Sequence, residues 1–449
     1  MSTLRLWALL RRRSRRDSRD PASLTSTLAV IAFAATTAVT LVVLGGLLAF
    51  IDRARAGVGS ASYDGWVYVN FAVFAVILLL VPLSTLGGAA ARLAMARRDA
   101  RLATMRLVGA TTTQVTLLTL LDAAVQALIG AAIGIGLYGA LLPLVARLSF
   151  QDRTFDLAEL WVGVPNVLLT VAGVLVIALV SAASSLQRVA VTPLGVATRQ
   201  SPPALTWLRG LSVVVVVAAI VVVNQFAGAA GMVVIFVLMG FIGIGMFTLN
   251  LVGPWLLSLV ARMVASRTRK VSTLLAARRV IDSPKTGWRS VGGVAIATFV
   301  AGVTSIIAIV PESMASSPDE AVFLRDIGTG GLLTLGIAGI LAGVSTGVMQ
   351  AGRVIDQRQE YANLVLAGTP RATLDGARFR ETLIPLLTAV GTATVAILIF
   401  LVPILGMSAF AQPGVVLRYA LSILAACALV LLGGAATRVV AHRMTAQAA

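Results

Sequence analysis

Residues 213–261 run without a single charged side chain, and no other feature limits so tightly what this chain can fold into. In lipid every backbone N–H and C=O must find its partner within the spanning structure, so a run of this length reads as helix. A membrane β-barrel would instead show short segments of alternating polarity. With 58% hydrophobic and 12% charged positions in 449 residues, the chain is too apolar for a polar, water-facing surface. The expected fold class is all-α integral membrane.

Ten spans are read, at 24–50, 66–91, 114–146, 160–187, 210–227, 230–261, 290–311, 327–350, 381–404 and 415–437. With the N-terminus placed in the cytoplasm, thirty Lys or Arg fall inside, and Arg53, Arg55, Arg147, Arg153, Arg325 and Arg418 fall outside. That bias is the positive-inside pattern of a multi-pass protein of the inner (cytoplasmic) membrane with both termini cytoplasmic. The net charge of +18 therefore follows membrane topology and does not point to nucleic acid. The opening "LRLWALLRRRSRR" lacks a cleavage site and suits a basic interfacial helix, although a disordered basic tail has the same composition. A single Cys427 and a single His442 exclude a disulfide framework and a multi-ligand His/Cys metal site, and no metal site is expected.

A shift of 259 residues lays Gly109 on Gly368, Leu107 on Leu366, Ala103 on Ala362 and Asp122 on Glu381. Upstream, "LLRRRSRRDSRDP" before the first span resembles "LLAARRVIDSP" before the seventh. The chain is thus expected to divide into a basic interfacial segment at 1–23, a four-helix repeat at 24–200, a two-helix insertion at 201–270 and a second four-helix repeat at 271–449. An even number of inserted spans leaves the repeats parallel.

The repeated stretch sits between spans. In "RLATMRLVGATTTQV", residues 101–115, Leu102, Met105 and Val108 share one side of a short helix while Arg101 points elsewhere. Leu364 and Ala367 play that part in "EYANLVLAGTPRATL", residues 360–374, led by Glu360 and Tyr361. Gly109 and Gly368 are suited to end these helices, because glycine accepts the positive φ of a C-terminal cap. A lone helix of this kind could lie among headgroups with its arginines snorkelling. Two copies in equivalent places suggest docking with a partner present twice.

The chain resembles the FtsX-like permeases, the membrane-subunit type of the MacB, LolC/LolE and BceB-like ABC systems. The resemblance rests on "RRDARLATMRLVGATTTQVTLLTLLDAAVQALIGAAIGIGLYG", residues 97–139, and more loosely on "RQEYANLVLAGTPRATLDGARFRETLIPLLTAVG", residues 358–391. Arg106, Leu107, Val108, Gly109 and Ala110 match the family pattern; the second copy departs from it, with Val365 in place of the Arg and Thr369-Pro370 after the glycine. The resemblance implies two FtsX-type repeats, ten transmembrane helices and coupling helices seated on a cytoplasmic ABC ATPase in two copies. It assigns ATPase coupling to Arg101, Met105, Arg106, Leu107, Gly109, Ala110, Glu360, Leu364, Leu366 and Gly368. Large outer domains of family members have no counterpart here, since the loops 52–65 and 312–326 are short.

Lys270 and Lys285 are the only lysines and neither sits in a Gly-Lys-Ser/Thr phosphate loop, so the chain is not expected to be an enzyme or to hold a cofactor. ATP and Mg would be bound by the partner ATPase. Asp122 and Glu381 are the acids placed within spans; a carboxylate at mid-membrane costs about 2.5–3.5 kcal/mol, so each needs a partner or an interfacial position. They are read as links between coupling helix and bundle. Gly130, Gly134, Gly339, Gly343 and Gly347 are read as close helix contacts. The Thr and small residues of 24–40 and 290–305 suit a lateral seam open to lipid. A hydrophobic or amphiphilic cargo, such as a lipid, lipopeptide or antimicrobial peptide, fits the lack of a polar pore pattern. Two alternatives stay open at this point: an ion-coupled secondary transporter using Asp122 and Glu381, and a non-transporting permease that transmits ATPase state to a partner.

Overall fold

Among the described residues four long helices begin on a proline, the residue whose fixed φ and missing N–H cost nothing at the first helical position. These are α1 (Pro21–Arg55), α8 (Pro284–Ile307), α9 (Pro318–Asp356) and α11 (Pro413–Thr445). Between them run α2 (Gly65–Met95), α3 (Thr112–Ala146), the short hairpin β1 (Ser149–Phe150) and β2 (Arg153–Thr154), α4 (Leu157–Leu160), α5 (Gly163–Ala190), α6 (Met232–Arg267), α7 (Val271–Asp282) and α10 (Arg371–Leu405). The computed structural model describes residues 21–58, 65–95, 111–190, 232–307, 317–356, 363–405 and 413–445.

The protein is an all-α membrane bundle. Nine of the ten regions read as spans coincide with long helices, and the tenth, 210–227, lies outside the described residues. By length and hydropathy, seven stretches among the described residues suffice to cross a membrane: Ser26–Arg55, Thr116–Ala146, Leu157–Ala183, Gly243–Arg267, Pro318–Gly352, Ala372–Ile399 and Val416–Ala435. Several helices outrun the apolar stretch that marks them. α10 starts at Arg371, ten residues before the apolar run at 381, because its polar first turns satisfy their own backbone and continue the helix out of the lipid.

The two halves pack in the same order. α1 lies against α2 and α3, and α2 against α5; likewise α8 lies against α9 and α10, and α9 against α11. The halves meet where α9 packs on α2 and α1, while α6 sits against α7, α8 and α10. Outward-facing Leu168, Leu169, Val176 and Val180 of α5 and Leu417, Leu421, Leu424 and Leu432 of α11 are exposed apolar side chains, a surface suited to acyl chains.

The reading of 24–40 and 290–305 as a lipid-facing seam is corrected here. Residues 290–302 are all buried, as are Ala29, Ala32, Phe33, Ala34 and Thr36–Val39. α1 and α8 are the inner helices of their halves, and their small residues serve close packing: a Cβ on Gly293 would stand 2.8 Å from Ala342 Cβ. Some of their hydroxyls bond back to their own helix: Thr36 Oγ1 donates to the Ala32 carbonyl at 2.8 Å and Ser290 Oγ to the Gly287 carbonyl at 2.7 Å, and Thr346 Oγ1 of α9 donates to the Ser290 carbonyl at 2.5 Å.

Candidate coupling site and the clasp opposite it

α10 rises from the second copy of the repeated stretch, of which residues 363–374 are described. Residues 363–366 form one helical turn, and Gly368 takes φ 87°, the left-handed conformation that ends a helix at low cost with glycine. The Gly368 N–H donates to the Val365 carbonyl and the Thr369 N–H to the Leu364 carbonyl, at 2.9 and 3.0 Å. Leu364 is half-buried, whereas Leu366 is 86% exposed and Val365 37%. Leu366 is thus an apolar side chain held out on a closed turn. Glu360, and the first-copy residues Arg101, Met105, Arg106, Leu107, Gly109 and Ala110, lie outside the described residues.

Ten residues into α10, Glu381 is 9% exposed and has an opposite charge beside it: Arg279 Nη1 of α7 lies 3.8 Å from Glu381 Oε2, both side chains 10% exposed. One residue earlier, Arg380 Nη1 donates to Ser272 Oγ of α7 at 2.7 Å. α7 is amphipathic, burying Ala276, Ala277 and Val280, and these two polar links fix it along the base of α10. Gln350 Nε2 of α9 donates to Thr382 Oγ1, so the same level of α10 is also tied to the helix that meets the other half.

Asp122 occupies the matching place, ten residues into α3, and is half-buried. α3 itself opens on a capping box, with the Gln114 N–H donating to Thr111 Oγ1 at 3.3 Å and the Thr111 N–H to Gln114 Oε1 at 3.1 Å. This start signal, Thr-Thr-Thr-Gln directly after residues 101–110, was legible in the sequence.

The glycines lie at helix contacts. A Cβ on Gly130 would stand 2.5 Å from Phe33 Cβ and one on Gly134 2.7 Å from the Ala34 carbonyl, both of α1. On α9, a Cβ on Gly339 would stand 3.0 Å from Leu429 Cδ1, one on Gly343 2.8 Å from the Leu429 carbonyl and one on Gly347 2.9 Å from the Gly433 carbonyl. Beside that close crossing of α9 and α11 opens an apolar groove of about 300 Å³, walled on its far side by Leu28 and Ile31 of α1. It lies at the junction of the two halves. Among the described residues no group of three His, Cys, Asp or Glu side chains could hold a metal ion.

At the opposite end, polar residues that the sequence reading left as loop charges form a clasp. Arg53, 4% exposed at the end of α1, donates through Nη1 to the Phe150 carbonyl at 3.0 Å, and through Nη2 to the Thr154 carbonyl at 2.9 Å and to Glu159 Oε2 at 2.8 Å. Its guanidinium carbon stands 4.2 Å over the Phe155 ring. The hairpin it grips pairs Ser149 with Thr154 and Phe150 with Arg153, and its two turn residues Gln151 and Asp152 take φ 57° and 59°. Asp326 of α9, 3% exposed, accepts from the Gln151 N–H at 2.6 Å and from Tyr68 Oη of α2 at 3.0 Å, and Arg325 Nη2 bonds Asp152 Oδ1 at 3.0 Å. The second half is thereby tied to the first through both α2 and the hairpin, with Phe50 stacked on Tyr68 and Phe323 edge-on to Tyr68 at the junction.

The comparisons with known proteins agree with the architecture. Residues 72–194 match the family model described as the FtsX-like permease C-terminal region. That stretch holds most of α2, all of α3 and α5, and the first copy of the repeated connection. No match was found among curated proteins or among solved structures. The apolar helices mark a multi-pass membrane protein, and residues 72–194 of it are similar to the FtsX-like permease domain.

Proposed function

We propose that the chain is the membrane subunit of an ABC transporter in which separate cytoplasmic ATPases, two per assembly, drive export or extraction of a hydrophobic or amphiphilic cargo from the bilayer. The reading treats 24–200 and 271–449 as two FtsX-type repeats, with 201–270 inserted between them and 1–23 a basic interfacial segment. The shared packing order of α1, α2, α3, α5 and of α8, α9, α10, α11 supports it. Both termini and both repeated connections then face the cytoplasm.

One observation carries the proposal: the closed turn 363–368 holds Leu366 86% exposed at the foot of α10, and α10 is fixed to α7 and α9 within three turns of that foot. A push on such a turn is delivered to a braced helix. Leu364, Leu366 and Gly368, with Glu360, form the docking contact of the second repeat; Arg101, Met105, Arg106, Leu107, Gly109 and Ala110 form that of the first. Glu381 and Asp122 transmit force from the docking turns into the bundle. Glu381 has Arg279 of α7 beside it at 3.8 Å, a contact between two helices that suits a mechanical link. ATP and Mg belong to the partner. The groove between α1, α9 and α11 has the apolar lining that an acyl-bearing cargo needs.

Reconstituted vesicles test this reading. Cargo flux that requires the ATPase and ATP and persists after the proton gradient is collapsed agrees with it. Flux that continues without ATP and stops with the gradient supports the ion-coupled alternative, and ATPase signalling without flux supports a transmitting permease.

A further inference from the structure

We propose that the segment from the end of α6 to the start of α8 is a binding platform for anionic phospholipid in the headgroup layer. Arg267, Arg269, Lys270, Arg278 and Lys285 are all exposed. None of the five makes an ion pair among the described residues. Within 262–289 the single acid is Asp282. Such a concentration of exposed cations sets up a positive field that attracts a negatively charged surface.

The occupant is lipid because of what accompanies the cations. On α7, Val271, Leu274 and Arg278 fall at i, i+3 and i+7 and are exposed, Val271 by 68% and Leu274 by 38%. The opposite face, Ala276, Ala277 and Val280, is buried against the bundle. α7 therefore has two apolar faces, one packed on protein and one open, with arginine and lysine at its ends. A helix so built lies in the interface, its open apolar side chains at the acyl boundary and its cations among phosphates. The helix is also the one bonded to α10 through Arg279–Glu381 and Ser272–Arg380, so bound lipid braces the strut beside the docking turn.

The platform rests on the membrane placement of the bundle and does not depend on the ATPase. The test uses the full chain in nanodiscs of phosphatidylcholine with about one third phosphatidylglycerol, followed by detergent extraction and measurement of the retained lipid ratio. Wild type should retain phosphatidylglycerol selectively. The combined variant R267Q/R269Q/K270Q/R278Q should lower that enrichment at least about tenfold, since each cation near an anionic surface contributes about fivefold. Recognition by charge also predicts that R267K/R269K/R278K keeps the enrichment and that raising salt from about 0.1 to 1 M removes it from wild type. Equal retention by wild type and the glutamine variant overturns the platform. So does unchanged lipid retention with loss of a bound ATPase, which would make the patch a protein surface. A chain that enriches anionic lipid but has no ATPase companion leaves the platform standing and sinks the transporter reading.

Discussion

Arg279 of α7 and Glu381 of α10 stand 3.8 Å apart with both side chains nine-tenths buried, so the short helix α7 is tied to α10 above the turn 363–368. Removing one charge leaves the other in a poorly hydrated place. E381Q and R279A should each lower stability by about 2 kcal/mol, while the double replacement R279M/E381L should cost less than the sum of the two. Thermal unfolding of the detergent-solubilised chain measures this, and strictly additive losses would show that the pair does not interact.

The clasp at the other end rests on Asp326, which satisfies the Gln151 N–H and the Tyr68 hydroxyl together. D326A leaves both donors unpaired in a buried site, and a loss of about 2–3 kcal/mol is expected, whereas Y68F removes one bond and should cost about 1 kcal/mol. Protease sensitivity of the hairpin 149–154 should rise in D326A and little in Y68F.

Neighbouring glycines of α3 should respond in opposite directions. A Cβ at Gly134 would meet the Ala34 carbonyl and Thr37 Cβ, each at 2.7 Å, but one at Gly136 meets nothing within 4 Å. G134A should therefore part α1 from α3 and destabilise by about 1–3 kcal/mol. G136A should be neutral or stabilising by up to about 1 kcal/mol through helix propensity. Similar melting of the two variants would contradict the assigned contact.

The spans were legible in the sequence because absence of charge is a local property that a window detects. The acids Asp122 and Glu381 were legible as a repeated pair, but Arg279 as the partner of Glu381 was not, since nothing near residue 279 names a position about a hundred residues later. The clasp was hidden for the same reason: Arg53 and Glu159, and Tyr68 and Asp326, meet only in the folded bundle. The hairpin gave little signal, because its turn residues Gln151 and Asp152 are not the Asn-Gly or Asp-Gly pair that announces a two-residue turn. Small residues and threonines in 24–40 and 290–305 were misleading, because the same composition serves a lipid seam and a tight inner helix. The resemblance carried by residues 97–139 agrees with the family match over 72–194.

Docking at the foot of α10 is the claim on which the account turns, and Leu366, 86% exposed, is its most direct handle. The full chain carrying L366D should fold as wild type does, because the side chain touches solvent, and should lose most of the soluble ATPase that co-purifies with it, by about tenfold or more for a leucine anchor replaced by a charge. An L366D chain that retains its ATPase in the wild-type ratio, or a wild-type chain that brings down none, would contradict it.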